Sequence, residues 1–334
     1  MMLSVIIPTR NRANFLSQAL MSLTRQTLAS NQFEILIIDN GSTDSTSQTT
    51  EKYSAQLSNI RYFYEPQPGL HAGRHRGMIE AKNDILVFAD DDIEAFPTWL
   101  ESIQCVFQNA NVAMVGGNNI PMFLTTPPKW LLTLWNRPLK RKARSIPALS
   151  IIEIYGSSRE CDPLLVWGCN FSIRKDVLLA AGGFHPDGMP KELIRFRGDG
   201  ETHVSRFVKE SGLLCVFHPE ASVYHKITQE RMTFEYFYQR GFSQGVSDSY
   251  SHMRNRQNPS KTQAKKNLLL KLVRWVENQL TKLIPLDAET KHVLYQMECG
   301  YKKGYAYHQR MYHEDEEIRT WTHKLKYFDE KSYD

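Results

Sequence analysis

The chain has 334 residues, 41% hydrophobic and 23% charged, which is enough to bury a substantial core as one large domain or as a domain with an extension. No run approaches the roughly 18 apolar residues of a membrane-spanning helix, and five scattered cysteines with no C-x-x-C pair argue against a disulfide framework or a zinc site and for reduced thiols in the cytoplasm. The net charge of +5 suits anionic partners such as nucleotide phosphates or acidic lipid, but selects neither.

The N-terminus, Met1 to Pro8, lacks a basic region and a small-residue cleavage site and reads as a first strand, Ser4 to Pro8, not a secretory signal. Apolar residues at helical spacing follow between Arg12 and Thr24: Phe15, Leu16, Ala19, Leu20 and Leu23. Glu34 to Ile38 is a second strand ending at Asp39. Gly41-Ser42-Thr43-Asp44 is a turn with capping chemistry for a helix running towards Ser58. Ile60 to Tyr64 is a third strand, Gly69 to Ala81 a loop entering a helix, and Ile85 to Ala89 a fourth strand. Trp99 to Phe107 and Val112 to Val115 add a helix and a strand. This alternation predicts an α/β fold, a mostly parallel mixed sheet with helices on both faces.

Beyond Pro121 the pattern loosens. Pro121 to Pro147, with Trp130, Trp135 and the basic run Arg137, Lys140, Arg141, Lys142 and Arg144, reads as a surface excursion, a lid or an acceptor-side loop. Sheet patterning resumes at Leu165 to Ile173, Leu213 to His218 and Ser222 to His225. From Thr233 the character is helical. The expected division is 1–232 for the sheet domain, with halves 1–120 and 121–232, and 233–334 for a helical extension. In the extension, Lys261 to Ile284 is the clearest amphipathic helix, with Leu269, Leu272, Val273, Val276, Leu280 and Leu283 on one face. That helix can pack on the first domain, pair with a second copy in a homodimer, or lie on a membrane with Lys265, Lys266, Lys271, Arg274 and Lys282 meeting acidic lipid. Tyr301 to Tyr333 reads as a last helix packed on the rest.

Four polar clusters carry chemistry. Three follow strands: Pro8-Thr9-Arg10-Asn11-Arg12, Asp39-Asn40-Gly41-Ser42 and Asp90-Asp91-Asp92. The fourth, His71-Ala72-Gly73-Arg74, precedes the fourth strand. Parallel strands bring such ends to one rim, where open α/β sheets bind ligands. Thr9 and Asp39 can hydrogen-bond a flat polar base, and Arg74 can neutralise phosphate or fix that base. The aspartates are either an acidic turn or a site for ribose and a hard cation, Mn²⁺ or Mg²⁺, which would offset their repulsion. No G-x-G-x-x-G follows the first strand and no G-x-x-x-x-G-K-[ST] occurs, which disfavours a nicotinamide enzyme and puts the phosphate-binding duty on a metal.

Val5 to Arg12, Ile37 to Asp44 and Phe88 to Asp92, in that order and spacing, resemble the signature of glycosyltransferase family 2, the inverting enzymes of GT-A fold. Gly168 to Phe171 and Gly182-Gly183-Phe184 are similar to its second half. The resemblance spans roughly residues 3 to 230. It implies a glycosyltransferase of hexosyltransferase type, with a nucleotide-diphosphate-sugar donor (a UDP-sugar foremost), a divalent metal and a hydroxyl acceptor, saccharide or lipid-linked. It implies no nucleic-acid partner, and a setting in bacterial surface polysaccharide or glycolipid assembly, in the cytoplasm or peripheral on the inner face of the membrane.

By motif, the nucleotide-binding candidates are Pro8, Thr9, Arg10, Arg12, Asp39, Gly41, Ser42, Arg74, Asp90 and Asp91, with Asp90 on the ribose. Asp92 and His225 are the metal candidates, His225 being a structural residue otherwise. The asparagine that follows the arginine in the family is His75 here. Inversion needs a carboxylate to take the acceptor's proton. The matching segment, Arg197 to Thr202, places a glycine between its acids. Counting back from Gly212 favours Glu201 as the base and Asp199 as the helix N-cap; both are also ordinary helix-start residues. Trp167, Gly168 and Asn170 are candidates for the sugar and acceptor side, with a core position as the alternative for Trp167. A scaffold that binds nucleotide without turnover is the second reading.

Overall fold

A computed structural model describes residues 1–137, 143–256 and 286–328. The helix expected over Lys261 to Ile284, and Lys140, Arg141 and Lys142 of the basic run, lie outside the described residues.

Unbroken apolar runs make the centre. β1 (Leu3–Thr9) and β2 (Phe33–Asp39) are buried along their whole length and pair in parallel, Leu3 opposite Phe33 through Thr9 opposite Asp39. β4 (Ile85–Ala89) pairs with β1 and β3 (Ile60–Tyr64) with β2, both in parallel. The register brings Thr9 and Asp39 side by side, with the end of β4 on the other flank of β1. Completing the sheet are β6 (Val112–Gly116), β10 (Arg159–Glu160), β11 (Asn170–Arg174) and β12 (Leu214–Phe217), in the order β10-β12-β6-β11-β4-β1-β2-β3. β11 runs antiparallel to β4 and β6, so the sheet is mixed.

Alternation of side chains along the strands feeds two cores. Leu3, Val5, Ile7, Ile35 and Ile37 meet α1 (Ala13–Leu23), α4 (Trp99–Phe107) and Tyr53 of α2 (Thr46–Ser54). Ile6, Leu36, Ile38, Phe88 and Phe171 meet α3 (Leu70–Glu80), α6 (Lys175–Ala180) and α7 (Glu201–Glu210) on the other face. α3 lies hard against the sheet: a Cβ on Gly77 would come 2.2 Å from Ile6.

The stretch expected to be irregular contains strands. β5 (Ile93–Ala95), β7 (Asn119–Phe123), β8 (Ala143–Ile146), β9 (Ile151–Ile154) and β13 (Val223–Ile227) form a second sheet in the order β5-β13-β7-β9-β8.

The chain divides into two compact units, 1–126 with 135–229 and 324–334, and 127–134 with 230–323. The sequence expectation divides the chain at 232. In the second unit, Trp130 of α5 (Lys129–Trp135) packs its ring on Phe234 and Phe237 of α8 (Phe234–Arg256). α8 and α9 (Ala288–Glu314) run parallel through matched glycines. A Cβ on Gly241 would lie 2.2 Å from the Met297 carbonyl oxygen, and one on Gly245 2.1 Å from that of Tyr301. Gly300 and Gly304 repeat this against Tyr238 and Phe242. Such glycine pairs allow backbones to approach closely, a geometry best known in membranes. Alanine for glycine inside a helix ordinarily gains up to about 1 kcal/mol. For Gly241→Ala the sign should reverse, with a loss of about 1–3 kcal/mol from overpacking, read as a lower midpoint in denaturant unfolding followed by far-UV circular dichroism.

Candidate active site

The ends of β1, β2 and β4 bound a cleft of about 210 Å³ lined by Pro8, Thr9, Arg10, Arg12, Asn40, Gly69, Leu70, Asp90, Asp91 and Gly188. Six of these were candidates from sequence. Asn40 belongs to the polar cluster after the second strand, whereas Gly69, Leu70 and Gly188 carry no motif. They arrive because the loop after β11 and α6 reaches back, the Leu70 N–H donating to the Asp187 carbonyl at 2.9 Å.

At the base end the turn after β2 is tied to the one after β1. The Asn40 N–H donates to the Thr9 carbonyl, and the Asn11 N–H donates to Ser42 Oγ at 2.9 Å. Gly41 has φ +79°, a left-handed turn that favours glycine. Asp44 accepts from the N–H of Ala13 and of Thr46, so one carboxylate holds the starts of α1 and α2. Asp39 is 3% exposed and takes the Ser42 N–H at 2.7 Å and the Tyr62 hydroxyl at 2.6 Å. Burial and Asp39 push the Tyr62 hydroxyl up to about 12, which keeps it a donor. Tyr62 was not a sequence candidate; its place on β3 opposite Ile37 of β2, in register, is the signal that could have found it.

The three aspartates diverge. Asp90 remains partly exposed and faces Arg74 Nη2 at 3.5 Å. Asp91 and Asp92 are buried and share Arg12, at 3.0 Å from Asp91 Oδ1 and 2.8 Å from Asp92 Oδ2. Thr9 donates its hydroxyl to Asp91 Oδ2 at 2.7 Å. Burial pushes the Asp91 carboxyl up, to about 7, against the pull of Arg12. The expected mutual repulsion is thus already reduced by a guanidinium, and a metal is not its sole remedy. His225, 1% exposed, places Nε2 3.2 Å from Asp92 Oδ1. Among the described residues no group of three or more His, Cys, Asp or Glu is arranged to hold a metal. Asp92 and His225 form a two-donor pair of oxygen and nitrogen. An imidazole beside a carboxylate suits a borderline cation better than Mg²⁺, which favours oxygen ligands alone.

Arg74 connects the acid cluster to the second half. It is 2% exposed, and its Nη1 lies 3.4 Å from Glu201 Oε2. The Gly168 N–H donates to Glu201 Oε1 at 3.3 Å. No side chain fits at Gly168, where a Cβ would stand 2.2 Å from Arg74 Nη2. Glu201 opens α7, and its side chain is 22% exposed. The expected N-cap role of Asp199 is corrected: Gly200, at φ +55°, holds that position. Asp199 lies one residue earlier, with its carboxylate between His185 Nδ1 at 2.6 Å and Arg206 Nη1 at 2.8 Å.

His75 and Asn170 turn away from the cleft. His75 Nε2 accepts the Phe184 N–H at 2.9 Å, and burial holds the ring well below the usual imidazole range, hence neutral. The Asn170 amide, expected on the sugar side, accepts from the Trp99 indole at 2.9 Å and donates to the Ala221 carbonyl at 3.0 Å. At 2% exposure it braces the core. Trp167 is half-buried, donates its indole N–H to the Leu164 carbonyl at 3.2 Å and packs against Ile152, Ile154 and Phe217.

A mixed sheet with its acid cluster at the carboxyl edge and helices on both faces is the GT-A fold. Residues 4–163, just under half of the chain, match the model of glycosyl transferase family 2. Glycosyltransferase AglE of Haloferax volcanii is 34% identical over 116 residues, 34% of this chain and 38% of that protein. The glucosyl-dolichyl phosphate glucuronosyltransferase of the same organism is 22% identical over 265 residues, 74% of this chain and 76% of that protein. Matches at 34–39% identity span only 17–38% of the relatives' own length. The mannosyltransferase PcManGT of Pyrobaculum calidifontis, solved with GDP-Man and Mn²⁺, shares the fold at 14% identity, with a TM-score of 0.55 over 90% of this chain and 86% of that one. No described helix is long and apolar enough to cross a membrane.

Proposed function

We propose that the chain is an inverting glycosyltransferase that moves a sugar from a nucleotide-diphosphate donor, a UDP-sugar foremost, to a hydroxyl of a saccharide or lipid-linked acceptor. The observation that carries this reading is Glu201: a partly exposed carboxylate fixed between Arg74 and the Gly168 N–H, next to the acidic cluster of a family 2 domain. Glu201 takes the proton as the acceptor oxygen bonds to the anomeric carbon. The bond from that carbon to the diphosphate breaks on the opposite face, and its electron pair leaves with the nucleotide. Thr9 and Asp39 hold the base, Asp39 as an acceptor aimed by Ser42 and Tyr62, while Asp90 meets the ribose. Arg74 and Arg12 supply positive charge beside the phosphates. Mn²⁺ or Mg²⁺ bound at Asp92 and His225 would neutralise charge on the departing diphosphate. Assembly of a surface polysaccharide or glycolipid at the inner face of the membrane is the setting we infer. The acceptor named for one matched relative, a lipid-linked sugar, agrees with it.

The test is a thermal-shift panel of UDP, GDP, CDP and dTDP with and without Mn²⁺. A nucleotide at a hundredfold excess over its Kd adds about 2.7 kcal/mol to the native state. One nucleotide, UDP first, should raise Tm only when Mn²⁺ is present. A flat response to all four with metal would end the reading.

A further inference from the structure

We propose that the C-terminal segment Lys324–Phe328 is a positioning strap for Glu201, an inference that rests on the base assignment above. The chain leaves the sheet-bearing unit at Gln229, and Lys324–Phe328 belong to that same unit. There Tyr327 is 8% exposed, its ring 6.4 Å from His71 and 5.6 Å from His185, edge-on to both. Phe328 lies 4.9 Å from His75. The surface beneath is shaped for this segment. Gly183, at φ +77°, has no space for a Cβ, which would meet both Phe328 and His75 at 2.7 Å. A Cβ on Gly182 would lie 3.2 Å from the Leu325 carbonyl.

Two routes run from these rings to Glu201. On α3, His71 stands three residues before Arg74, its neighbour on the helix face, and Arg74 pairs with Glu201 Oε2. In the other route His185 holds Asp199 at 2.6 Å and stacks at 3.7 Å on His203 of α7. Asp199 is two residues before Glu201, across Gly200 at φ +55°. The strap therefore presses on both walls of the carboxylate without reaching the cleft itself. Burial brings His71 down to about 4, so it meets Tyr327 as a neutral ring.

The full chain is compared with Tyr327→Ala, Tyr327→Phe, Asp199→Asn and the Tyr327→Ala/Asp199→Asn pair. Turnover is nucleotide release from UDP-glucose, UDP-N-acetylglucosamine and GDP-mannose. The His185–Asp199 bond is followed by ring-nitrogen NMR. Tyr327→Ala should lower kcat tenfold or more, leave the donor KM within twofold and move the His185 resonance, while Tyr327→Phe restores both. In the Asp199→Asn background the same change should cost under threefold. An unmoved His185 resonance, or a full further loss in the double variant, overturns the strap. Glu201→Gln turning over at the parent rate while Tyr327→Ala still moves His185 would overturn the base assignment, leaving the strap as a support of the Asp199 loop alone.

Discussion

Glutamine at position 201 is expected to lower sugar transfer by about 10²–10⁴-fold, the range for loss of a general base, with nucleotide binding unchanged. The substitution keeps the shape and the oxygen that accepts the Gly168 N–H. It removes the ability to take a proton. Arg74 loses one ionic partner but retains Asp90 at 3.5 Å, so its position should hold. Nucleotide-dependent thermal stabilisation, measured on the same sample, separates lost chemistry from lost binding. Transfer at the parent level would exclude Glu201. A parent that binds nucleotide and turns over no donor would return the chain to the class of nucleotide-binding scaffolds.

The other large effect is expected from Asp92→Asn. This side chain, 5% exposed, sits between Arg12 at 2.8 Å and His225 at 3.2 Å. Asparagine preserves size and removes the charge a divalent cation requires. Arg12 remains paired with Asp91, and the backbone carbonyl of residue 92 still accepts the Lys226 N–H, so the local fold is retained. Mn²⁺-dependent stabilisation by nucleotide should disappear, and transfer should fall by about 10²-fold or more, since stabilising charge on a leaving diphosphate is worth several kcal/mol and each 1.36 kcal/mol is tenfold. Calorimetric titration of Mn²⁺ in the presence of UDP gives the check. Unchanged metal affinity would place the cation elsewhere.

What the sequence disclosed follows from the length and continuity of its signals. β1, β2 and β4 are solid apolar runs, each ending in polar residues, and their places were readable to within a residue or two. Of the second sheet only β13 was legible, as the run Ser222 to His225. The others are three to five residues long, β7 contains Pro121, and several are only half-buried, so neither an apolar run nor a clean alternation marks them. Polar residues were harder still. Asn170 stands two residues after Gly168 at the start of a strand, as a ligand-binding residue would, yet tertiary packing turned its amide to Trp99. Asp199 and Glu201 are nearly equivalent in sequence. The positive φ of Gly200 gives them different environments, one closed by His185 and Arg206, the other partly exposed beside Arg74 and the Gly168 N–H. The glycines of α8 and α9 stood in plain view at a four-residue spacing, but such a spacing has meaning only once its partner helix is known.

Arg74 is enclosed where α3 meets the sheet: Gly168 leaves it no slack, and Gly73 and Gly77 hold its helix against Pro8 and Ile6. The opposite end is roomy, with Tyr64 55% exposed and 3.9 Å of clearance between its hydroxyl and a Cβ built on Gly41. Mutational drift will therefore be uneven. An exchange at the exposed Tyr64 requires no repacking, whereas any added methyl around Arg74 dislodges the helix that carries it. A library meant to alter base preference belongs at the outer end, and the inner end should be left untouched.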